Sequence, residues 1–343
     1  MTKAKGGGPA PAFAVTPHRQ RFATSRQALV DWPSAFGRRF LVTVDVEEEF
    51  DWSRPPGTVE GSVRAIAALP EFHDRMAALG VCPAYMVDHP VAGDAEAAAT
   101  LRSLAERGAE IGAQLHPWVT PPLAGAHGEA ASFAGNLPRE LEAAKLATLV
   151  TAVEQATGRR PRSYRAGRYG LGPGTVALLT KLGFRADLSM RARHDYRPEG
   201  GPDFTHVGNA AFRLAPGLIE LPLSTFYVGR WRGRGPRWHP ALAGVPKGRG
   251  VAARLGLISR VPLTPEGTSA REAIAAIDAA VADDERLLQI AFHSPSLVPG
   301  NTPYVRNAAD RERFDAWWDQ VLGELKRVGF APTTIGEVLH AAG

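Results

Sequence analysis

Short apolar runs alternate with helically spaced segments from about residue 39 to residue 341. Arg39-Phe-Leu-Val-Thr-Val-Asp45 is an unbroken apolar and β-branched run, the pattern of a strand buried on both faces. Residues 61–79 then place Val63, Ile66, Leu69 and Met76 at helical spacing, with Gly80 where a C-cap belongs. The spacing predicts further strands at 81–87, 110–113, 163–170, 184–187, 218–221 and 287–292, with a short one from Phe330. It predicts further helices over 94–107, 137–157, 173–182, 270–283, 308–328 and 335–341. Such alternation argues for a parallel sheet with crossover helices in a single domain over 37–343. Residues 1–36, rich in Gly, Pro, Ala and Arg, read as a loosely ordered arm. Residues 226–255, rich in Arg, Gly, Pro and Trp, read as a surface excursion between barrel elements.

Polar residues fall repeatedly just after the apolar runs: Asp45 and Glu47, Asp88 and His89, His116, Arg165 and Arg168, Asp187, and His293. In a parallel α/β barrel all strand C-termini point to one face, so these residues converge although they are distant in sequence. Asp45 ends a buried strand, where an unpaired carboxylate is costly. Glu47 lies two residues on and points to the same side in extended chain, which suits a base beside a metal ligand. Glu48 and Glu49 read as solvated. His293, in Phe292-His-Ser-Pro-Ser296, fits a general acid. Arg165 and Arg168 offer planar forks of donors to a carboxylate or an anionic substrate.

Composition narrows the choice. The 343 residues are 44% hydrophobic and 22% charged, and 40 basic against 35 acidic residues leave a net charge of +5. That excess permits an anionic substrate and does not demand nucleic acid. Seven basic residues accompany Trp231 and Trp238 over 230–254, but Gly and Pro interleave them, and a solvated loop or substrate lid is the preferred reading. Cys82 is the only cysteine, so an intramolecular disulfide and a cysteine zinc site are excluded. No apolar stretch is long enough to span a bilayer, and the run around Phe13 is too short for a signal peptide, so the expected location is the cytoplasm.

Five segments together resemble the polysaccharide-deacetylase (NodB-homology) superfamily, in particular its bacterial branch linked to surface polysaccharide and lipopolysaccharide biosynthesis. They are Thr43-Val-Asp-Val-Glu47, Gly108-Ala-Glu-Ile-Gly112 with His116, Tyr164-Arg-Ala-Gly-Arg-Tyr-Gly170, Asp187-Leu-Ser189 and Phe292-His-Ser-Pro-Ser-Leu297. The resemblance implies a distorted (β/α) barrel and a divalent metal, often zinc, acting on an acetylated sugar or glycan precursor. By the same resemblance Asp45 is the base, His293 the acid, Arg165 the residue that orients the base, and Asp187 the carboxylate that tunes the acid. Glu47 and His116 become metal ligands, with Gln114 at the position of a second histidine, and Arg168, Tyr169 and Trp118 line the substrate. Gln114 and Glu47 depart from the usual histidine and aspartate of the pattern. Three readings therefore stay open: a metal-dependent carbohydrate deacetylase, a metal-independent amide hydrolase on the same scaffold, and a sugar-binding protein without catalysis.

Overall fold

The computed structural model describes residues 15–54, 61–123 and 128–343; residues 1–14 and His127 lie outside them. The strands are β1 (Arg21–Ala23), β2 (Arg38–Val46), β3 (Ala84–Val87), β4 (Glu110–Leu115), β5 (Ser163–Ala166), β6 (Ala186–Asp187) and β7 (Asp203–His206), then β8 (Phe212–Ala215), β9 (Leu218–Glu220), β10 (Thr225–Val228), β11 (Ser259–Pro262), β12 (Leu287–His293) and β13 (Phe330–Pro332).

The main sheet runs β12-β2-β3-β4-β5-β6-β9-β8, and β13 also pairs with the start of β2. Every pairing is parallel except the final β8–β9 hairpin. β8 and β12, at its two ends, do not pair with each other, so the sheet curls without closing, and helices cover its outer side. This is the α/β, parallel, distorted-barrel class that the sequence pattern points to.

The order follows from burial. In β2, Leu41 is buried on one side of the strand and Val42, Val44 and Val46 on the other, which makes β2 an interior strand, flanked by β12 and β3. Outside it, Phe72, Phe292, Phe314 and Trp318 meet edge to face, with ring centroids 5.0–6.4 Å apart. Helix Ala308–Arg327 carries Trp318 into that cluster and begins at Asn307, whose side chain accepts from Asp310 N. Capping boxes Ser269/Glu272 and Thr334/Glu337 start helices Ala270–Ala282 and Ile335–Ala342. Truncating Trp318 to Ala would cost about 3–5 kcal/mol.

Two stretches have more structure than their composition suggests. Residues 15–36 lie against the domain: β1 pairs with β7, and Val30 and Phe36 are buried because the sheet edge offers them apolar partners. Residues 226–255 connect β10 to β11, which form an antiparallel ribbon, and carry helices Gly235–Ala241 and Gly248–Arg254 at its tip.

Candidate active site

The parallel register places Asp45 of β2 directly beside His293 of β12, and Gln114 of β4 beside Arg165 of β5. All four side chains line one cleft of about 200 Å³ at the C-terminal ends of the strands, together with Glu47 and His116. Arg168, Tyr169 and Trp118 line it too. Asp187 does not, and His89 opens the short helix His89–Gly93 away from it.

Asp45 is held from below. Arg165 Nη1 donates to Asp45 Oδ1, Nη2 to Thr43 Oγ1 at 2.8 Å, and Nε to Leu188 O at 3.1 Å. The guanidinium is 1% exposed, so the ion pair is fixed in a dry environment. Asp45 Oδ2 lies 3.8 Å from His293 Nε2. One carboxylate oxygen is thus spoken for, and the other faces the imidazole across the cleft.

His293 is gripped on its other side by Glu266. Its backbone N donates to Glu266 Oε1 at 3.2 Å, and Nδ1 lies 2.6 Å from Glu266 Oε2. Ser296 Oγ also donates to Glu266 Oε1. Burial alone would lower the pKa of His293. The carboxylates of Glu266, Glu47 and Asp45 outweigh burial and raise it well above the ordinary histidine value.

The carboxylate expected on His293 was Asp187, and the structure corrects that. Asp187 ends the two-residue β6 behind Arg165, where Oδ1 accepts from Ser189 N at 3.0 Å and from Ser189 Oγ. Burial raises its pKa to about 6, and Glu220, also buried and raised, stands beside it. Asp187 therefore supports the floor under Arg165.

His116 follows β4 and is 2% exposed. Its Nδ1 lies 2.9 Å from Glu48 Oε2, and its Nε2 lies 3.5 Å from Glu47 Oε2. Burial pulls its pKa down to about 4, so the ring is neutral near pH 7. A neutral ring donates from Nδ1 to Glu48, which leaves the Nε2 lone pair facing Glu47. Gly167 makes room for this ring: a Cβ there would come within 2.3 Å of His116 Cδ2. Glu48, expected to be solvated, is 1% exposed: the chain turns inward after β2, and Glu48 Oε1 accepts from Trp118 Nε1 at 2.7 Å. Trp118 stacks on His116 with centroids 4.2 Å apart.

Two groups of donors here suit a divalent cation. Glu48, Asp88 and His116 form a buried cluster whose ligand atoms lie within 4.8 Å of one another. Its atoms are already engaged, since Glu48 N donates to Asp88 Oδ2 and Asp88 Oδ1 caps helix His89–Gly93. The second group is His116 Nε2, Glu47 and Gln114. Glu47 Oε1 and Gln114 Oε1 are both buried without a hydrogen-bond partner. Burial pushes the Glu47 carboxyl well above its usual range, His293 opposing and Asp45 adding to the shift. Two orphaned oxygens and a free imidazole nitrogen fit a cation, with Glu48 and Asp88 orienting His116 behind it.

The cleft walls are aromatic. Trp52 meets His293 edge-on at 5.3 Å and Tyr304 at 5.8 Å, and Phe50 stacks on Trp52. Opposite, Arg168 and Tyr169 both hold left-handed backbone (φ 53° and 61°), a conformation that costs non-glycine residues of order 1–3 kcal/mol each. Arg168 donates to Ser132 Oγ at 2.7 Å and Glu199 Oε2 at 3.0 Å, and Tyr169 stacks on Tyr196. Lys145, from helix Arg139–Thr157, donates to the carbonyls of Pro117, Thr120 and Pro122 at 2.6–2.8 Å and so ties down the loop after His116.

Glu266 and Glu48 were missed by sequence reasoning. Glu266 obeys the strand-end rule, since it lies just past β11, but that strand follows the Arg/Gly-rich excursion and is only four residues long.

Comparison with solved structures places the architecture among known folds. The chain is similar to Puue allantoinase (11% identity, 91% of this chain and 92% of that one, TM-score 0.54). It also matches a proposed polysaccharide deacetylase from Mycobacterium smegmatis (20% identity, 90% and 96% covered, TM-score 0.48). A third match is a peptidoglycan deacetylase from Bacillus subtilis (13% identity, 89% and 91% covered, TM-score 0.39). The allantoinase likeness shows a shared fold over nearly the whole chain. No family model matches the sequence, and no curated protein does.

Proposed function

We propose that this protein is a carbohydrate deacetylase-like hydrolase, removing an acetyl group from an amide or ester on a sugar or glycan intermediate. The observation that carries the reading is the pair Asp45 and His293, side by side across β2 and β12, each fixed from behind by an oppositely charged partner. Acyl hydrolysis needs a base to take a proton from water and an acid to give one to the departing group. Asp45 Oδ2 is the carboxylate oxygen that Arg165 leaves free, 3.8 Å from His293 Nε2, and it takes the water proton. His293, protonated at Nε2 because Glu266 faces Nδ1, protonates the leaving nitrogen or oxygen. The aromatic rings at 50, 52, 118 and 304 supply flat apolar surface for a sugar ring and exclude bulk water.

His116 Nε2, Glu47 and Gln114 would hold a divalent cation, zinc being the reading favoured for a histidine-containing set. Bound there, such an ion supplies positive charge that polarises the acyl carbonyl and the attacking water. Gln114, a neutral ligand where a second imidazole would bind more strongly, favours a second reading: a metal-independent amide hydrolase using Asp45, Glu47 and His293 alone. The five sequence segments support a substrate among surface-polysaccharide precursors, and because such precursors are made on the cytoplasmic side of the membrane, a cytoplasmic site of action fits this reading. Among the described residues no helix is long and apolar enough to cross a membrane.

The test is acetate release from a panel of N-acetyl and O-acetyl sugars, with metal analysis of the same preparation. Turnover that falls at least about a thousandfold in Asp45→Asn supports hydrolysis at this site. About one metal per chain and loss of activity on chelation select the metal-dependent form. Turnover by metal-free protein selects the second reading. No acetate release from any member, with intact sugar binding, overturns both.

A further inference from the structure

Arg191 stands in the same cleft as Asp45, Tyr169, His293 and Tyr304, and its charge has no counterpart there. Among the described residues the other cleft arginines are neutralised: Arg165 by Asp45, Arg168 by Glu129 and Glu199. Arg191 itself has no carboxylate within ion-pair distance among the described residues. Its one polar partner among them is Tyr196 Oη, 3.4 Å from Nη1, and its guanidinium lies 5.4 Å from the centroid of the Tyr169 ring. Its Nε is buried with no hydrogen-bond partner. The carboxylates nearest the cleft are committed elsewhere, Asp45 to Arg165 and Glu266 to His293 and Ser296.

An arginine keeps its charge at every physiological pH, so this half-buried cation rests on a hydroxyl and a ring face with no carboxylate to balance it among the described residues. A further guanidinium, that of Arg260, lies within electrostatic reach of Arg191. Arg260 donates to Arg193 O at 2.8 Å and, among the described residues, has no carboxylate within ion-pair distance. The cleft therefore holds, near the acid, a guanidinium with donors left over. A neutral hydroxyl does not balance such a group; an oxyanion, with two acceptor oxygens, does.

We infer that the substrate carries an anionic group, a carboxylate or a phosphate, close to the acyl group that is removed, and that Arg191 binds it. The inference rests on the acyl-sugar reading of the cleft and narrows its substrate class to acidic or phosphorylated sugars.

The experiment uses the full chain and a matched series: N-acetylglucosamine, its 1-phosphate and 6-phosphate, and N-acetylmuramic acid. Calorimetric binding and acetate release are measured for wild type, Arg191→Gln and Arg191→Lys. At least one anionic member should bind about tenfold to a hundredfold more tightly than the neutral sugar. Arg191→Gln should remove that preference, and Arg191→Lys should keep part of it, which separates lost charge from lost folding. Whether the phosphates or the carboxylate gain identifies the anion. Equal affinity for neutral and anionic members, no binding of any anionic member, or a preference that survives Arg191→Gln overturns the inference. If the anionic sugars bind through Arg191 but release no acetate, the hydrolase reading falls and the anion site stands. If neutral sugars are deacetylated without preference, the anion site falls and the hydrolase reading stands.

Discussion

Glu266 holds His293 at two points, through the backbone N at 3.2 Å and through Nδ1 at 2.6 Å. The double contact fixes the ring's orientation and its charge together. Nε2 can point only toward the cleft and Asp45, and the imidazolium is favoured over the neutral ring.

Replacing Glu266 with Gln keeps the shape and removes the charge. The pKa of His293 is raised by Glu266, so the acid form persists to higher pH in wild type and is lost sooner in the variant. The alkaline limb of the kcat profile should therefore move to lower pH in Glu266→Gln, with kcat at pH 8 down roughly tenfold to a hundredfold. A pH–rate profile of acetate release checks this, and an unmoved limb would show that His293 is not the acid.

Glu48→Gln tests the support behind His116. The carboxylate that fixes the imidazole tautomer becomes an amide, while Trp118 keeps an acceptor. Divalent-ion affinity should fall about tenfold to a hundredfold with little loss of thermal stability. Gln114→His should act in the opposite direction. Zinc titration against a competing chelator measures both.

Arg165→Met removes a buried cation and leaves Asp45 alone. Breaking such a pair costs about 3–5 kcal/mol, which urea denaturation would read as a lower midpoint. Asp45→Asn is milder, because the amide oxygen still accepts from Arg165. The two variants should thus differ in stability while both lose turnover.

Glu142 lies in helix Arg139–Thr157, buried, with Thr175 Oγ1 donating to it. Burial raises its pKa from 4.5 to about 7. The folded state binds the proton more tightly, so Glu142 favours folding below pH 4.5, and that contribution is lost as pH rises to 7. Subtracting the stability of Glu142→Gln from that of wild type at each pH should give a difference that falls by on the order of 3 kcal/mol across this window. A flat difference would mean the carboxyl is ionised in the fold.

Much of this arrangement is legible in the sequence because strand ends are. Asp45, His116, Arg165 and His293 each follow an apolar run, and a parallel sheet has only one face on which to gather them. Glu48 was misread because the two-residue alternation of a strand was extended past Val46, where the strand stops and the chain turns inward. Asp187 and Glu266 both follow short strands, and sequence alone does not say which reaches His293. That choice is made by the ribbon β10–β11, whose pairing is long-range and leaves little periodic trace.

The three carbonyls held by Lys145 give the cleft unequal sides. The loop carrying Trp118 is fastened to a helix by a buried ammonium, and Trp118 is itself bonded to the group that orients His116. The rest of the aromatic wall, from Phe50 through Trp52 to Tyr304, is made of rings touching rings. Redesign of substrate range therefore belongs at Phe50 and Tyr304, whereas a change at Trp118, or at Trp52 against His293, would also disturb the residues that govern the chemistry.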